Sequence, residues 1–421
     1  MAREERVKKP SGNKKNILII GAGPNQLPAI QMAKRRGLGM VVTDADPQAV
    51  GFVLADAHGV ASTRDVEGTI AYARSIQDSL GLDGVMTMAS ESAVTVAGVA
   101  QALGLPGLDP QAALRASQKI VRQECFHRCG VPAPRFAAAA SIDEAIALAG
   151  DLGWPVVVKP ADGAGSRGVQ KVSAPEEMAA AVREIAAHSK TAHFLIEEFL
   201  VGSEHSIEGI VIDGEIHWTG FSDRNYDKKE IYPPFFLEDG DTLPSALQEE
   251  TMAAAKEAAA AAVRALGIDW GPVKGDILID RNGPRMLEMA ARLSGDYFCN
   301  ETVPLHNGVN LVDEVMSLSL GEAVDPRDLE AKFNRGVALR YLWPKPGKIN
   351  AIRGIDRARA MPGVHFFRWE PRWSAIGVGS VITPARSMGE RVGSVMAYGE
   401  TRAEAVRSAE AAVRVIEIVT E

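Results

Sequence analysis

Cysteine is scarce in this sequence, which excludes a fold built on disulfide bonds. Only three of the 421 residues are cysteines, namely Cys125, Cys129 and Cys299. An odd and small number argues against a disulfide framework and fits a reducing compartment. Cys125 and Cys129 share one face of a predicted helix, but no further Cys or His stands near them at zinc spacing. Buried free thiols are therefore favoured over the alternative of a metal site.

Long apolar runs and an excess of positive charge are also missing. No stretch reaches the roughly 18 apolar residues that a membrane-spanning helix needs, and residues 1–15 are polar and basic without the apolar core of a signal peptide. The formal net charge is -8, whereas a nucleic-acid-binding protein needs a basic face. We expect a disordered leader over residues 1–15 and a cytoplasmic protein with neither membrane nor nucleic-acid partners.

Strands that alternate with helices predict a parallel α/β unit over residues 16–115. Ile17–Ile20 is a predicted buried strand, which leads through a glycine turn into a helix that reaches Arg36. Two more predicted strands are MVVTD, which ends at Asp44, and GVMTM, which begins at Gly84.

The glycine turn of this unit, GAGPNQ, is similar to the start of a dinucleotide-binding fingerprint. Asp44 even ends the second strand, where a ribose-binding acid would lie. Gln26, however, replaces the third glycine, which normally permits tight packing of helix on strand, and Pro28 follows closely. We favour a tight turn that helps to form a substrate wall and keep dinucleotide binding as the alternative.

The pattern changes to hairpins in the central region, residues 116–325. A strand that ends near Lys159, the strand FLIEEFL and a hairpin at Asp213-Gly214 predict a small antiparallel sheet with one helix. This sheet, over about residues 154–220, fits a mobile lid.

Helices and a last domain complete the predicted organisation. RASQKIVRQECFHRCG is one predicted helical stretch that Gly130 ends, and an alanine-rich helix is predicted from Leu243 to Leu266. Residues 326–421 contain short strands and a final helix over Arg402–Ile418, which predicts a small β-rich α+β domain.

A second glycine loop and a strand with glutamates point to nucleotide binding. Lys159 stands at a strand end before Gly163, Gly165 and Gly168, and such a loop lets backbone N–H groups approach phosphate oxygens. Downstream, FLIEEFLVGSE offers backbone groups to an adenine edge and an acid to ribose hydroxyls. The alternatives are an ordinary flexible hairpin and glutamates that are merely solvated sheet charges.

Two carboxylates on one predicted hairpin indicate a magnesium site. The period of two along each strand allows Asp276 and Glu288 to share one face, and paired carboxylates there need a counter-charge. Mg²⁺ is commonly held by one or two carboxylates plus substrate phosphates. Arg292 falls on the same face if the strand persists, where it would neutralise a transferring phosphoryl group. The alternative is a salt-bridge network of these three residues without a ligand.

Taken in order, these motifs resemble the ATP-grasp superfamily, and the string LEMAARLSG is most similar to its L-amino acid ligase-like, carboxylate–amine ligase branch. The resemblance implies an ATP-grasp α/β fold and two phosphate-binding lysines, Lys119 and Lys159. It implies metal binding by Asp276 and Glu288 and an acyl-phosphate-stabilising role for Arg292. The remaining ATP-binding residues that it implies are Gly165, Ser166, Glu197, Glu198, Phe199, Leu200, Glu204 and Leu278.

The implied reaction joins a small-molecule carboxylate to an amine with ATP and Mg²⁺, or Mn²⁺ in its place, in a protein that is often a homodimer. Two departures bear on the metal: Asp276 stands where the family commonly has Glu, and Ala290 where it commonly has an Asn ligand. The alternatives are a biotin-carboxylase-like or purine-pathway-like enzyme that uses bicarbonate or another small acid, and a non-catalytic ATP-binding regulator.

Overall fold

The computed structural model describes residues 14–163, 165–189, 191–227 and 232–421. Except for Lys14 and Lys15, the expected leader lies outside these residues. The described chain forms four β-sheets with helices packed on them, which confirms the predicted mixture of a parallel N-terminal sheet and antiparallel sheets beyond it. None of its helices is both long and apolar enough to cross a membrane.

The N-terminal sheet is parallel, as predicted, with the order β3-β2-β1-β4. Its strands are rich in Val, Ile and Met, and β1 and β2 are buried along nearly their whole length, as is usual for parallel strands covered on both faces. Its elements are β1 (Asn16–Ile20), α1 (Leu27–Arg35), β2 (Gly39–Asp44), β3 (Ala57–Val60), α2 (Val66–Leu80), β4 (Gly84–Thr87) and α3 (Ala93–Leu103).

Two helices lead into the central region, where a single helical stretch was predicted. Gln118 has an extended backbone and separates them, so that Lys119 becomes the first residue of the second helix. The two helices are α4 (Pro110–Ser117) and α5 (Lys119–Arg128).

A small antiparallel sheet follows, with the order β5-β8-β6-β7. Residues of β6 alternate between buried and half-buried positions, so Val156 and Val158 join the core while Lys159 lies on the open face. Its elements are β5 (Phe136–Ala139), α6 (Ile142–Leu152), β6 (Val156–Pro160), β7 (Gln170–Val172), α7 (Pro175–Ala186) and β8 (Phe194–Glu198).

The hairpin at Asp213-Gly214 forms as predicted, but the prediction that it shares a sheet with Lys159 is wrong. Its strands, β9 (Ser203–Ile212) and β10 (Glu215–Asn225), belong to an eight-stranded sheet. The free edge of β9 pairs over nine residues with a strand that lies about 70 residues later in the chain, from Gly271↔Val211 to Ile279↔Ser203. Local alternation specifies a hairpin but not the sheet that it joins.

The eight-stranded sheet has the order β13-β12-β9-β10-β11-β14-β18-β16. The alanine-rich helix begins at Glu249 and not at Leu243, because Leu243 ends β11 and Pro244 follows it. The further elements in the central region are β11 (Gly240–Leu243), α8 (Glu249–Leu266), β12 (Gly271–Asp280), β13 (Gly283–Ala290), α9 (Val303–Asn307) and α10 (Leu311–Ser319).

The C-terminal strands are divided between two sheets. Three of them extend the eight-stranded sheet. The other three form a small sheet with the order β17-β15-β19. These elements are β14 (Gly336–Leu342), β15 (Gly347–Arg353), α11 (Ile355–Arg359), β16 (Val364–Trp369), β17 (Val381–Ile382), β18 (Gly393–Gly399), α12 (Arg402–Val415) and β19 (Glu417–Thr420). The predicted final helix thus ends at Val415, and the domain boundaries stay predictions.

Candidate active site

A cavity of about 310 Å³ lies between the small antiparallel sheet and the eight-stranded sheet. Its volume is at the lower end of the roughly 300–1,000 Å³ that is usual for small-molecule pockets. All of the residues predicted for nucleotide, metal and catalytic roles line this one cavity; they are Lys119, Lys159, Gly165, Ser166, Glu197, Glu198, Phe199, Leu200, Glu204, Asp276, Leu278, Glu288 and Arg292.

Two lysines enter the cavity from different elements. The Nζ atom of Lys159 lies 2.6 Å from Oε2 of Glu197 on the neighbouring strand. Lys119, at the start of α5, donates to the carbonyl of Gly163 in the glycine loop at 2.5 Å. Burial, helped by the nearby positive charges of Arg122 and Lys159 and opposed by Glu288, lowers the pKa of Lys119 to about 8. The ammonium group of Lys119 is therefore charged at neutral pH or close to it.

At the end of β8, which was predicted to contact adenine, most polar groups already form hydrogen bonds within the protein. The side chain of Glu197 is buried and accepts from Nε2 of Gln123 at 3.1 Å. Glu198 accepts from both the backbone N–H and Nε of Arg135 at 2.9 Å, and the N–H groups of Glu198 and Phe199 donate to carbonyls. Among the described residues none accepts from the backbone N–H of Leu200.

Gly202 brings this strand end close to β12. A Cβ atom at Gly202 would lie 2.1 Å from the carbonyl oxygen of Ile279, so a side chain there would push the two segments apart. The close approach places Glu204 and Leu278, which are Cα partners, on the cavity wall together.

The two predicted metal acids are direct cross-strand partners on β12 and β13. Burial alone would raise the pKa of Asp276, but Lys274 at 2.5 Å and Arg224 at 3.3 Å hold it well below its usual range. Burial also opposes ionisation of Glu288, yet Arg122 and Lys119 lower its pKa to about 2. Both side chains are therefore carboxylates at neutral pH, as metal binding requires.

Arg292 reaches the cavity although β13 ends at Ala290. Its Nε and Nη2 atoms donate to Oε1 of Glu91 at 3.0 Å and 2.7 Å. A parallel bridge between Met88 and Leu293 brings the segment with Glu91 alongside. Burial disfavours the charged form, but Glu91 and Glu288 raise the pKa of Arg292 further above its usual value.

The structure does not show the alternative network in which Asp276, Glu288 and Arg292 neutralise one another. Each has a different partner among the described residues: Asp276 contacts Lys274 and Arg224, Glu288 lies 3.8 Å from Arg122, and Arg292 contacts Glu91. Because the two acids and Arg292 each pair with a residue outside this trio, the three do not form a closed network.

Several charged residues of the cavity were missed from the sequence. Lys274 lies on the same strand face as Asp276, so the period of two would have found it; it is also the Cα partner of Ala290, where the family's Asn was expected. Arg224 holds Glu238 at 2.9 Å and reaches towards Glu204 at 3.6 Å. No local signal marks Arg224 or Glu238, because the cavity unites them only through long-range strand pairing.

The acid pair suits a magnesium ion that arrives with phosphate oxygens. Residues 14–163, 165–189, 191–227 and 232–421 contain no group of three or more His, Cys, Asp or Glu side chains around a possible metal position. Two ionised carboxylates plus substrate phosphates are a usual magnesium environment. The three cysteines are free: Cys125 and Cys299 are buried, but Cys129 is exposed, so the prediction of a buried thiol is wrong for Cys129.

The first glycine turn is closed by its own side chains, which fits the tight-turn interpretation. Gln26 accepts from the N–H of Gly23 at 3.2 Å and donates to the carbonyl of Met88 at 2.6 Å. Asp44 accepts from the N–H of Ala22 at 2.8 Å. The groups that would contact a dinucleotide are thus used within the turn, while Pro24 lines a second cavity.

Family models match three successive parts of the chain. They are an ATP-grasp N-terminal domain over residues 30–107, an ATP-grasp domain over residues 152–300 and L-amino acid ligase C-terminal domain 2 over residues 340–421.

Known proteins agree with these matches. The L-amino acid ligase of Bacillus licheniformis has a similar fold, with a TM-score of 0.81 at 23% identity over 98% of this chain and 100% of that chain. A D-alanine–D-alanine ligase of Cupriavidus metallidurans is 31% identical over 248 residues, which are 55% of this chain and 72% of the relative. Protein y4rH of Sinorhizobium fredii is 27% identical over 403 residues, or 92% of this chain and 79% of the relative.

The chain belongs to the ATP-grasp superfamily, among its carboxylate–amine ligases, and its C-terminal part matches an L-amino acid ligase domain.

Proposed function

We propose that this protein is an ATP-dependent ligase that forms an amide or peptide bond through an acyl phosphate and releases ADP and phosphate. The observation that carries the proposal is the convergence of two lysines, two ionised carboxylates and an arginine on one cavity between two sheets. This set matches what phosphoryl transfer needs, which is cationic groups around the transferred phosphate and carboxylates for its magnesium ion.

The nucleotide is assigned to the part of the cavity that the small sheet covers. Lys119 and Lys159 offset the triphosphate charge, and the loop with Gly165 and Ser166 covers the phosphates. The N–H of Leu200, which has no acceptor in the described part of the chain, and the apolar side chain of Leu278 fit an adenine ring. Glu204 fits the ribose hydroxyls, since its carboxylate lies 3.6 Å from Arg224 and keeps capacity for further donors.

Asp276 and Glu288 are assigned to the metal. A Mg²⁺ ion held by these two carboxylates would supply Lewis-acid stabilisation of the phosphate charge. Lys274 and Arg224 keep Asp276 ionised, and Arg122 does the same for Glu288. The contacts of these three cations therefore keep both acids ionised before the nucleotide binds.

The proposed chemistry takes two steps. A substrate carboxylate oxygen attacks the γ-phosphorus of ATP, which forms the acyl phosphate and releases ADP. The amine nitrogen then attacks the acyl carbon, the C–O bond to phosphate breaks, and the amine loses one proton as the amide forms. Arg292, held in place by Glu91, stabilises the negative charge on the transferred phosphoryl group and the tetrahedral intermediate.

A phosphate-release assay over a panel of carboxylates and amines tests this function. Release that depends on both an acid and an amine supports the ligase. Release with bicarbonate and biotin instead supports the biotin-carboxylase-like alternative. ATP binding without turnover under all conditions supports the non-catalytic regulator and rejects the proposal.

Replacing Lys159 by Ala should raise the KM for ATP about 10- to 100-fold. The change removes a charge-assisted hydrogen bond of about 1.5–3 kcal/mol to the phosphates. The control is Lys348→Ala, because Lys348 is exposed on β15 and does not line the cavity. An unchanged KM for ATP in Lys159→Ala would contradict the assignment of this lysine to the phosphates.

Use of ATP should weaken as the pH rises through about 8. Lys119 has its pKa lowered to about 8 mainly by burial, so its ammonium is present below that pH and is lost above it. Measured between pH 7 and 9.5, the KM for ATP should increase in the wild type. The variant Lys119→Arg keeps its charge over this range and should show a flat profile; two identical profiles would rule out Lys119 as the titrating group.

A further inference from the structure

Glu208 is a buried carboxyl group that none of the roles assigned above uses. It lies on β9 two residues beyond Ser206 and four beyond Glu204, so the period of two along a strand places the three side chains on one face. Glu204 and Ser206 line the nucleotide cavity, whereas Glu208 lies outside its lining and is completely buried. Burial of a carboxyl group is costly unless hydrogen bonds satisfy its oxygens, so the donors that satisfy Glu208 indicate its role.

Both oxygens of Glu208 accept hydrogen bonds from one residue, Ser294. The backbone N–H of Ser294 donates to Oε1 at 2.7 Å, and its hydroxyl donates to Oε2 at 2.8 Å. The carbonyl of Ser294 in turn accepts from the thiol of Cys299 at 3.2 Å. All three polar groups of Ser294 are therefore held from within the protein, which fixes both the position and the orientation of this residue.

Ser294 lies in the segment that carries Arg292, and this segment follows the end of a strand. β13 ends at Ala290, so its ladder with β12 stops two residues before Arg292. An isolated bridge between Met88 and Leu293 follows. Because a continuous ladder does not support this segment, the position of Arg292 depends on separate anchors along it.

Two ion pairs provide anchors on either side of Ser294. Glu91 accepts two hydrogen bonds from Arg292 on one side. On the other side, Arg391 from the C-terminal region forms an ion pair with Asp296, although 51% of the Asp296 side chain stays exposed. Both ion pairs act on side chains, so they fix the backbone between them only indirectly.

Glu208 ties the backbone of this segment to the sheet that carries the proposed metal acids. Its Cα partner on β12 is Lys274, whose ammonium group contacts Asp276 at 2.5 Å. The hydrogen bonds between Ser294 and Glu208 therefore fix the segment of Arg292 relative to this strand. The placement matters because a charged group stabilises a transition state only from the correct position, and a misplacement of about 1 Å can lower the rate about 100-fold.

We propose that Glu208 is a positioning residue: its carboxylate holds Ser294 and thereby places the guanidinium of Arg292 for phosphoryl transfer. Glu208 itself does not line the cavity, so it acts on the reaction only through this segment. This role rests on the proposed function, because it requires that Arg292 stabilises the transferred phosphoryl group.

The carboxylate form of Glu208 is the form that accepts both hydrogen bonds from Ser294. Burial raises the pKa of Glu208 to about 7, and the hydrogen bonds from Ser294 oppose this rise. The positive charges of Lys274 on β12 and of Arg292 also oppose it. The nearby thiol of Cys299 stays neutral, because burial raises its pKa well above the usual range. Protonation of Glu208 removes the acceptor of one donor, so the anchor is complete above about pH 7 and weakened below it.

Replacing Glu208 by Gln should lower kcat about tenfold, the value of one charge-assisted hydrogen bond, while the KM for ATP changes little. Gln keeps the size of the side chain, but its amide puts a donor in place of one acceptor oxygen. The matched control is Asp313→Asn, because Asp313 on α10 is also a buried carboxylate but pairs with Arg36 away from the cavity. It should leave kcat nearly unchanged, and thermal unfolding checks that both variants are folded. A defect of Glu208→Gln confined to the KM for ATP would contradict the positioning role.

A double-mutant cycle with Arg292→Ala separates positioning from a general structural role. If Glu208 acts through Arg292, Glu208→Gln should lower kcat about tenfold in the wild type but less than about twofold when the guanidinium is already absent. An equal loss in both backgrounds would overturn the positioning role, because it would show an effect that does not pass through Arg292.

The pH profile provides a readout that a loss of packing would not change. The ratio of kcat in the wild type to kcat in Glu208→Gln should fall from about ten at pH 8 to about two at pH 6, because the protonated carboxyl group resembles the amide. The ratio cancels the ionisation of the substrate amine, which affects both enzymes equally. A ratio that stays constant over this range would overturn the role of the carboxylate.

The variant Ser294→Ala supplies the same test if Glu208→Gln does not fold. It removes a hydrogen bond that lowers the pKa of Glu208. The fall in kcat on the acid side should therefore begin at a higher pH than in the wild type. An unchanged pH profile of Ser294→Ala would overturn the proposed anchor.

The wild-type enzyme separates failure of the proposed function from failure of this role. Absence of turnover with every pair of acid and amine removes the ligase function, and the role of Glu208 falls with it. Turnover of the wild type, combined with equal losses in both backgrounds of the cycle or with a constant pH ratio, leaves the function in place and removes only the role of Glu208.

Discussion

Replacing Glu288 by Gln should abolish magnesium-dependent turnover, with a fall in kcat of about 10³-fold, the upper range for loss of one transition-state charge contact. Gln keeps the shape of the side chain but removes the charge that holds the metal. It also leaves Arg122 and Lys119 without their opposing carboxylate. Turnover at saturating ATP should therefore collapse even when Mg²⁺ is raised.

The control for this variant is Asp280→Asn on the same hairpin. Asp280 contacts Arg285 and Asn282 and does not line the cavity, so its loss should leave kcat within a factor of a few. Thermal unfolding of both variants checks that the fold is intact. Near-normal activity of Glu288→Gln with an intact fold would remove the metal role of Glu288.

Replacing Arg292 by Ala should lower kcat about 10²- to 10³-fold while the KM for ATP changes little. Its guanidinium is assigned to charge that develops during transfer, and such contacts act on the transition state more than on the bound nucleotide. The kinetic signature is thus a fall in kcat and in kcat/KM by the same factor.

Arg285→Ala is the matched control, because Arg285 lies on β13 and contacts Asp280 outside the cavity. The variant Glu91→Gln adds a second measurement, since Glu91 receives two hydrogen bonds from Arg292. It should lower kcat less than Arg292→Ala does, because the guanidinium stays but is less well fixed. A defect in ATP binding alone for Arg292→Ala would contradict its proposed role.

The sequence predicted the elements of the fold better than their assembly. Parallel strands in the N-terminal unit follow from continuous Val, Ile and Met runs, and the hairpins follow from Asp213-Gly214 and Arg281–Gly283. What it could not predict is which sheet each hairpin joins, since β9 pairs with β12 across a long separation in sequence. The break at Gln118 was also missed, because a helical pattern continues through it.

For the candidate site, motif order was sufficient to select residues that the fold brings into one cavity. It did so because each motif ends on an element whose period or turn fixes the side-chain direction, as for Lys159 on β6 and Asp276 on β12. The cations that keep the acids ionised were missed. Arg122 and Arg224 reach the acids from α5 and β10, and only the tertiary fold brings these elements to the hairpin.

The strand order of the largest sheet also determines which part of the molecule is free to swing. Backbone hydrogen bonds connect every neighbouring pair of strands from the hairpin that carries Asp276 and Glu288 to β18 and β16. The two acids and these C-terminal strands therefore belong to one rigid sheet, or plate. Two covalent connections, residues 128–136 and 198–203, join the four-stranded sheet to that plate. In the described part, one isolated bridge at Gln170 and Phe235 and side-chain contacts such as Arg386 with Glu184 at 2.9 Å add to them. A hinge there would change the width of the nucleotide cleft while the gap between the acids and Arg391 keeps its dimensions.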